Sequence, residues 1–193
     1  QAKRFSGATG LLLWMSNCVW PSTMWQTYDY YMEGTGAMYG CQEGSEPIHI
    51  MYYGSGSYNV SVVNNTMQPL ANYSASATTY NLDGTKAWNK TAAVTVEADA
   101  ANANALGSAI TAGTTTPYFL DLKLADAAGK LVSKNFYWLP SGADISKILT
   151  MTKATLTPIG DAKMSKSGAE YTISFQVINS SAVCAVACRL LLT

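Results

Sequence analysis

One segment of this chain has the sequence Gly10-Leu-Leu-Leu-Trp-Met-Ser-Asn-Cys-Val-Trp-Pro-Ser-Thr-Met-Trp-Gln-Thr-Tyr-Asp-Tyr-Tyr31, and it determines the predicted architecture. It holds three of the five tryptophans and three tyrosines. The apolar run Leu11–Met15 is long enough for a buried strand and too short for a core helix, and a turn at Asn17–Pro21 follows it. We therefore predict a buried strand that ends in aromatic and amide side chains, as in the binding face of a parallel barrel.

Such a face suits sugars. A pyranose ring has an apolar C–H side that stacks on indole, and its hydroxyl groups need amide or carboxylate partners. A second interpretation places Trp14, Trp20 and Trp25 in the core and makes Asn17 the cap of a turn. The residue types alone leave both interpretations open.

Several motifs of this segment resemble the eighth barrel strand of glycoside hydrolase family 2 and the residues that follow it. They are Trp14-Met15-Ser16-Asn17, Trp20-Pro21-Ser22, Trp25-Gln26 and Tyr28-Asp29-Tyr30-Tyr31. Further motifs resemble the exit from the barrel and the strands of the next domain: Tyr39-Gly40-Cys41, Glu46-Pro47-Ile48-His49-Ile50, Val62-Val63-Asn64-Asn65-Thr66 and Ser133-Lys134-Asn135-Phe136-Tyr137-Trp138-Leu139. Within the family the chain is most similar to exo-β-D-glucosaminidases that act on chitosan, and next to β-mannosidase-type members.

The resemblance implies a mainly β chain of three parts. Residues 1–46 would be the strand–helix remnant of a (β/α)8 barrel, since one strand and two helical pieces cannot close an eight-stranded barrel. Residues 47–141 would form an immunoglobulin-like β-sandwich, and residues 142–193 the beginning of a second β-sandwich. We expect a helix near Ala37–Ser45 that is stopped by Pro47.

The pattern beyond residue 47 independently indicates a sandwich, because apolar residues alternate with polar ones in several short runs. These runs are Ile48–Ile50, Tyr58–Val62, Ala92–Val96, Leu120–Leu124 and Asn135–Leu139. Turn signals at Asp83-Gly84 and Ala128-Gly129 predict two hairpins. About seven short strands without a helical period are typical of an immunoglobulin-like fold, and we predict Trp138 as its core anchor.

The last part of the chain shows a new alternating pattern. A short helical turn at Asp144–Leu149 is expected to lead into about three strands, formed by Leu156 and its neighbours, Tyr171–Val177 and Val183–Leu192. Three strands make about half of a sandwich.

Glycoside hydrolysis with retention needs two carboxyl groups about 5 Å apart across the scissile bond. Asp29 is the one acidic residue inside the aromatic segment, and one carboxylate is not a pair. The resemblance implies that earlier barrel strands supply the general acid and the nucleophile, so no catalytic residue is assigned in this chain. It assigns substrate binding to Trp14, Asn17 and Trp20, at the subsite of the terminal sugar.

His49, the single histidine, is interpreted as a satisfied residue between barrel and sandwich rather than as a base. Four cysteines, Cys18, Cys41, Cys184 and Cys188, have no metal-site spacing. On a strand Cys184 and Cys188 would lie about 13 Å apart, beyond disulfide reach. Cys18 and Cys41 either pair in an oxidising compartment or remain free thiols.

Composition narrows the remaining classes of function. The 193 residues contain twelve basic and twelve acidic side chains, which gives no electrostatic footprint for nucleic acid or an anionic membrane. No apolar run approaches the length of a membrane span, and no cofactor motif is present. Five N-glycosylation sequons, at Asn59, Asn64, Asn72, Asn89 and Asn179, indicate an extracellular protein.

We therefore expect part of a secreted, retaining glycosidase for β-linked amino sugar polymers. The polysaccharide would bind through the rest of the barrel, and the chain would be inactive alone. Two alternatives remain: a β-mannosidase-type member of the same family, and a non-catalytic β-sandwich module that binds carbohydrate or has a structural role.

Overall fold

The computed structural model describes residues 7–8, 10–22, 26–53, 59–140, 142, 144–186 and 188. In chain order its elements are α1 (Gly36–Gly44), β1 (Ile48–Tyr53), β2 (Asn59–Asn64), β3 (Leu70–Tyr80), β4 (Lys86–Val96), β5 (Ala100–Asn102), β6 (Tyr118–Ala125), β7 (Leu131–Leu139), α2 (Ser146–Leu149), β8 (Leu156–Ser167) and β9 (Glu170–Asn179). The prediction of a mainly β chain is confirmed. None of the helices among these residues is long and apolar enough to cross a membrane.

Strands β1 to β7 form the predicted immunoglobulin-like β-sandwich. One antiparallel sheet has the order β1-β2-β5, and the other has the order β4-β3-β6-β7. Apolar side chains of both sheets meet in one core, with Ile50 and Val62 from the first sheet and Leu120, Leu122 and Leu124 from the second. This core is the principal source of stability, because burying a leucine side chain contributes about 1.5–3 kcal/mol.

Both predicted hairpin turns are present in the four-stranded sheet. Between β3 and β4 the Asn81 N–H donates to Thr85 O at 2.9 Å, and Gly84 adopts φ +84°. The Asp83 carboxylate accepts hydrogen bonds from the Thr85 N–H and hydroxyl, and these bonds lower the pKa of Asp83. Between β6 and β7, Gly129 adopts φ +81°. Glycine is required at these two turns because other residues are strained at positive φ.

The prediction that Trp138 anchors the core is wrong. Its side chain is 39% exposed and lies on the outer face of β7, whereas Ser133, Asn135, Tyr137 and Leu139 point inward. The two-residue period of a strand shows which residues share a face but not which face is buried. Here the more polar face is the inner one, because its hydroxyl and amide groups bond to the edge of β1.

These inward polar side chains close the sandwich where the edges of the two sheets meet. The Ile50 N–H donates to Ser133 Oγ at 3.2 Å, and the Tyr52 N–H donates to the Tyr137 hydroxyl at 3.1 Å. The Asn135 amide donates to the same hydroxyl at 2.7 Å. Burial raises the pKa of Tyr137. Side chains of β7 thus replace the backbone ladder that edge strand β1 lacks on this side.

The N-terminal part contains the predicted helix but not the predicted strand. Helix α1 is confirmed, and its first N–H groups are capped by the Thr35 hydroxyl, which accepts from the Ala37 N–H. Leu11–Met15 forms no strand, and its side chains are exposed. A strand needs a neighbour for its backbone hydrogen bonds, and no strand of the described chain lies beside this run.

The C-terminal part contains the short helix α2 and the two-stranded hairpin of β8 and β9. All residues of both strands are exposed. In the third predicted strand, residues 183–186 and 188 are not in a strand, and the rest lies outside the described residues. The boundaries at residues 46 and 141 stay predictions, although the sandwich strands all fall between them.

Candidate functional site

The residues predicted to bind substrate lie on an extended segment that is tied to the loop before α1. The Tyr28 N–H and the Thr27 hydroxyl both donate to Ser16 O, each at 2.8 Å. The Thr35 hydroxyl donates to Gln26 O at 2.6 Å. These bonds fix the middle of the segment in position without forming a helix or a strand.

Trp14 and Trp20 are 78% and 65% exposed, and Asn17 is exposed as well. In this structure the two indoles therefore do not belong to a core, whereas Trp25 lies outside the described residues. The Ser16 hydroxyl donates to Asn17 Oδ1 at 2.9 Å. All three predicted side chains are accessible, and their assignment to substrate stays a prediction.

A polar cavity of about 390 Å³ lies beside this segment and was not predicted from the sequence. It is lined chiefly by Cys18, Ser22, Gln26, Tyr28, Asp29 and Thr35. Gln26 is only 3% exposed, and in the described part of the chain its Oε1 atom has no hydrogen-bond partner. A buried acceptor without a partner costs about 1–3 kcal/mol, so this oxygen would gain from any donor that reaches it.

Two carboxylates, Asp29 and Glu33, line a neighbouring cavity of about 700 Å³. They belong to one tight turn, in which the Asp29 N–H donates to Glu33 O at 3.0 Å and the Glu33 N–H donates to Asp29 Oδ1 at 2.9 Å. The Asp29 carboxylate thus stabilises the turn. Two groups at the ends of one turn are not the opposed pair that flanks a glycosidic bond.

His49 is buried, as predicted, and both of its ring nitrogens have partners. Nδ1 lies 3.0 Å from Glu46 Oε2, and Nε2 lies 3.3 Å from the Asn135 amide nitrogen. The Ser133 hydroxyl donates to the same Glu46 oxygen at 2.6 Å. This network joins the entry of β1 to β7, and the alternation of Ser133, Asn135 and Tyr137 in the sequence was the signal that could have located it.

The cysteines and acidic residues give no further site. All four cysteines are free thiols in this structure, so the alternative of a Cys18–Cys41 disulfide is not realised. Over the residues that the structure describes, no group of three or more His, Cys, Asp or Glu side chains could hold a metal ion.

Comparison with known proteins agrees with this architecture. Residues 56–141 match the family model for the mannosidase Ig/CBM-like domain. The chain is 39% identical over 138 residues to an exo-β-D-glucosaminidase of Amycolatopsis orientalis. The matched region covers 71% of this chain and 13% of that protein. The crystal structure of the exo-chitosanase from the same organism superposes on this chain with a TM-score of 0.75 at 30% identity. The match covers 90% of this chain and 22% of the exo-chitosanase chain. The chain belongs to glycoside hydrolase family 2.

Two other relatives of this family 2 chain have different names. An exo-β-D-glucosaminidase of Streptomyces avermitilis is 39% identical over 142 residues, 71% of this chain and 15% of that protein. A mannosylglycoprotein endo-β-mannosidase of Lilium longiflorum is 27% identical over 177 residues, 90% of this chain and 18% of that protein. The chain thus spans less than a quarter of the length of each of these proteins.

Proposed function

We propose that this chain is part of a longer exo-β-D-glucosaminidase, which releases glucosamine from chitosan with retention and whose catalytic carboxyl groups lie outside these 193 residues. The observation that carries the proposal is the 39% identity to exo-β-D-glucosaminidases from two organisms. The absence of an opposed carboxylate pair among the described residues supports the second part of the proposal.

In this proposal the N-terminal segment contributes one wall of the subsite for the terminal sugar. Trp14 offers an exposed indole face to the apolar side of the ring, and Trp20 offers a second. Among the described residues the Asn17 amide donates one long bond, 3.4 Å to Cys18 O, so its N–H groups remain available to sugar hydroxyls. Gln26 Oε1 is the further acceptor beside them.

The test has two arms. The purified 193-residue chain is expected to show no turnover of an aryl β-glucosaminide. An enzyme-like rate would refute the proposal that the catalytic carboxyl groups lie outside these residues. In the longer protein, Trp14→Ala and Asn17→Ala are each expected to lower kcat/KM by roughly tenfold to a hundredfold, through loss of one stacking or hydrogen-bonding contact. Met67→Ala, at an exposed loop of the sandwich, is the control and should leave kcat/KM unchanged.

A β-mannosidase activity is the second candidate, and the match of the lily endo-β-mannosidase over 90% of this chain favours it. The two sugars differ at C2, where glucosamine carries an equatorial amino group and mannose an axial hydroxyl. Parallel assays of the longer protein on aryl β-glucosaminide and aryl β-mannoside distinguish them. A higher kcat/KM on the mannoside would replace the first proposal.

We further propose that the protein is extracellular. The exposure of Asn72 and Asn89, the acceptor residues of two sequons, supports this, since a glycan needs a solvated surface. Asn64 is fully buried and its amide is hydrogen-bonded, so a glycan there is incompatible with the fold. The native protein is expected in the culture medium of its source, with glycans at Asn72 or Asn89 and none at Asn64. Retention inside the cell would contradict the proposal.

A further inference from the structure

The outer face of the four-stranded sheet carries a row of aromatic side chains. Tyr80 of β3 pairs with Phe119 of β6, and Phe119 pairs with Trp138 of β7. In the next row Asp121 pairs with Phe136. Side chains two strands apart lie about 10 Å from each other, so the row is long enough to extend under two linked sugar rings.

Two of these aromatic rings are accessible and a third supports them. Phe136 is 50% exposed and Trp138 is 39% exposed. Phe119 is buried and stacks against Phe136, with ring centroids 5.4 Å apart and an angle of 29° between the planes. This support holds the Phe136 ring in one orientation, which reduces the entropy lost when a ligand stacks on it.

Tyr80, Phe119 and Phe136 form the floor of a cavity of about 310 Å³, and Trp138, two residues beyond Phe136 on the same face of β7, lies outside its lining. Its lining includes Tyr80, Phe119, Asp121 and Phe136, and residues 184–186 form a wall on one side. Asp121 is the charged side chain among the described residues that line it. Its Oδ2 atom lies 2.8 Å from Lys123 Nζ, an amine that is itself largely exposed and lies one row further along the sheet.

A second negative charge lies close to this cavity. Asp83 precedes Gly84, whose backbone lies against Cys184, a residue of the wall. Burial and then the charge of Asp83 raise the pKa of Cys184. Three lysines lie on the same face and none of them lines the cavity: Lys86, which pairs with Tyr80, and the cross-strand neighbours Lys123 and Lys134. The cavity therefore combines an aromatic floor with the Asp121 carboxylate in its lining and Asp83 nearby, and the described residues of the lining include no amine.

We propose that this cavity is an accessory site for a β-linked glucosamine chain, separate from the wall formed by Trp14 and Asn17. The apolar faces of the sugar rings would stack on Phe136 and Trp138, and an ammonium group would bind Asp121. The choice of glucosamine rests on the proposed function, and complementarity between the carboxylates and a cationic sugar supports it. The site would hold the polymer on the sandwich while the barrel acts on its end.

The experiment measures binding of a β-1,4-linked glucosamine hexamer to the 193-residue chain by calorimetry. Phe136→Ala and Trp138→Ala are each expected to weaken binding roughly tenfold. Both side chains face away from the core, so circular dichroism should show an unchanged fold. Tyr171→Ala, which removes an exposed aromatic residue on β9, is the matched control and should not change the affinity.

The contribution of charge is tested with Asp121→Asn, which conserves the shape of the side chain. It is expected to weaken binding of the glucosamine hexamer about fivefold at low salt and to leave binding of a neutral β-1,4-glucose hexamer unchanged. If the glucosamine hexamer does not bind detectably, or if Phe136→Ala and Trp138→Ala keep full affinity, the proposed accessory site is wrong. If Asp121→Asn weakens the binding of both hexamers equally, the proposal that the site selects a cationic sugar is wrong.

The two proposals fail separately. If the longer protein does not hydrolyse an aryl β-glucosaminide while the cavity binds the hexamer, the proposed function fails and the accessory site stands. If the longer protein is active while Trp14→Ala, and not Phe136→Ala, removes binding by the chain, the accessory site fails alone.

Discussion

Two buried amide side chains show how differently the sandwich and the N-terminal segment are built. In the sandwich, Asn64 donates to Gln68 O at 2.8 Å and Glu97 O at 2.9 Å, and its Oδ1 atom accepts from the Thr66 N–H and hydroxyl. Before α1, Gln26 is nearly as deeply buried, yet its Oε1 has no partner in the described part of the chain. The sandwich satisfies this amide completely, although its Asn65 Oδ1 and Thr79 Oγ1 atoms also have no partner among the described residues.

Apolar side chains follow the same division. Leu120, Leu122 and Leu124 are completely buried between the sheets, whereas Leu11 and Leu12 are almost completely exposed. Exposed apolar groups accumulate in protein surfaces that bind something else. The difference indicates that the sandwich provides the stability of this chain and that the N-terminal segment provides a surface for a ligand or another part of a larger protein.

The largest expected effect on stability comes from replacing a leucine by alanine, and the same replacement is compared in the two regions. Leu122→Ala removes a fully buried side chain and should lower the free energy of unfolding by about 2–5 kcal/mol. Leu12→Ala changes a side chain that is 98% exposed and should leave it within about 0.5 kcal/mol of the original value. Urea unfolding measures both. Comparable losses would show that the N-terminal segment is packed in solution.

A smaller effect is expected from the hydrogen bonds of Asn64. Asn64→Ala leaves two carbonyls and the Thr66 N–H without their partner, and should destabilise the sandwich by about 1–3 kcal/mol. Asn89→Ala, on an exposed position of β4, is the control and should have little effect. If the two variants melt at the same temperature, Asn64 does not hold the loops after β2 and β4 in place.

A still smaller loss of stability is expected when the hydrogen bonds between β1 and β7 are weakened. Tyr137→Phe removes the acceptor for the Tyr52 N–H and should lower the free energy of unfolding by about 1 kcal/mol. Tyr171→Phe, on exposed β9, is the matched control and should be neutral. A loss as large in the control would mean that the closure contributes nothing specific.

The raised pKa of the same tyrosine predicts that the stability of the folded chain decreases at alkaline pH. Its pKa is raised in the folded chain by burial, so the unfolded chain loses this proton at a lower pH, near 10. The stability that Tyr137 contributes is therefore complete below pH 10 and decreases as the pH rises through the folded pKa. The difference in unfolding free energy between wild type and Tyr137→Phe should shrink above pH 10. A constant difference would mean that the hydroxyl ionises equally in both states.

The sequence predicted most of the sandwich, because its strands and turns have local signals. The alternation around Leu120–Leu124 and the glycine turns at Gly84 and Gly129 correspond to observed elements. Strand β3 had no such signal, because its inner face is formed by small residues such as Ala75 and Ala77. The orientation of β7 could not be predicted either, since it depends on contacts with β1, which is more than eighty residues away.

The candidate site was less predictable. The motifs from Trp14 to Trp20 identified an aromatic surface, and these residues are exposed as a binding wall requires. The predicted strand Leu11–Met15 is absent, since apolar character alone cannot replace a neighbouring strand. The aromatic cavity at Phe136 arises from segments far apart in the sequence, so that no local pattern marks it. The cavity at Gln26 forms within residues 18–37, but its shape depends on how this irregular segment folds back on itself.

The smallest expected effect sharpens the comparison between the two amides most directly. Gln26→Met keeps the length of the side chain and removes an acceptor that has no partner in the described part of the chain, so the stability of the 193-residue chain should be unchanged or slightly higher. In the longer protein the same variant should lower kcat/KM on the glucosaminide, because Gln26 Oε1 would there accept a hydrogen bond. Thermal melting and kinetics measure the two outcomes. A clear loss of stability in the isolated chain would show that Gln26 is satisfied there as Asn64 is, and would remove it from the proposed subsite.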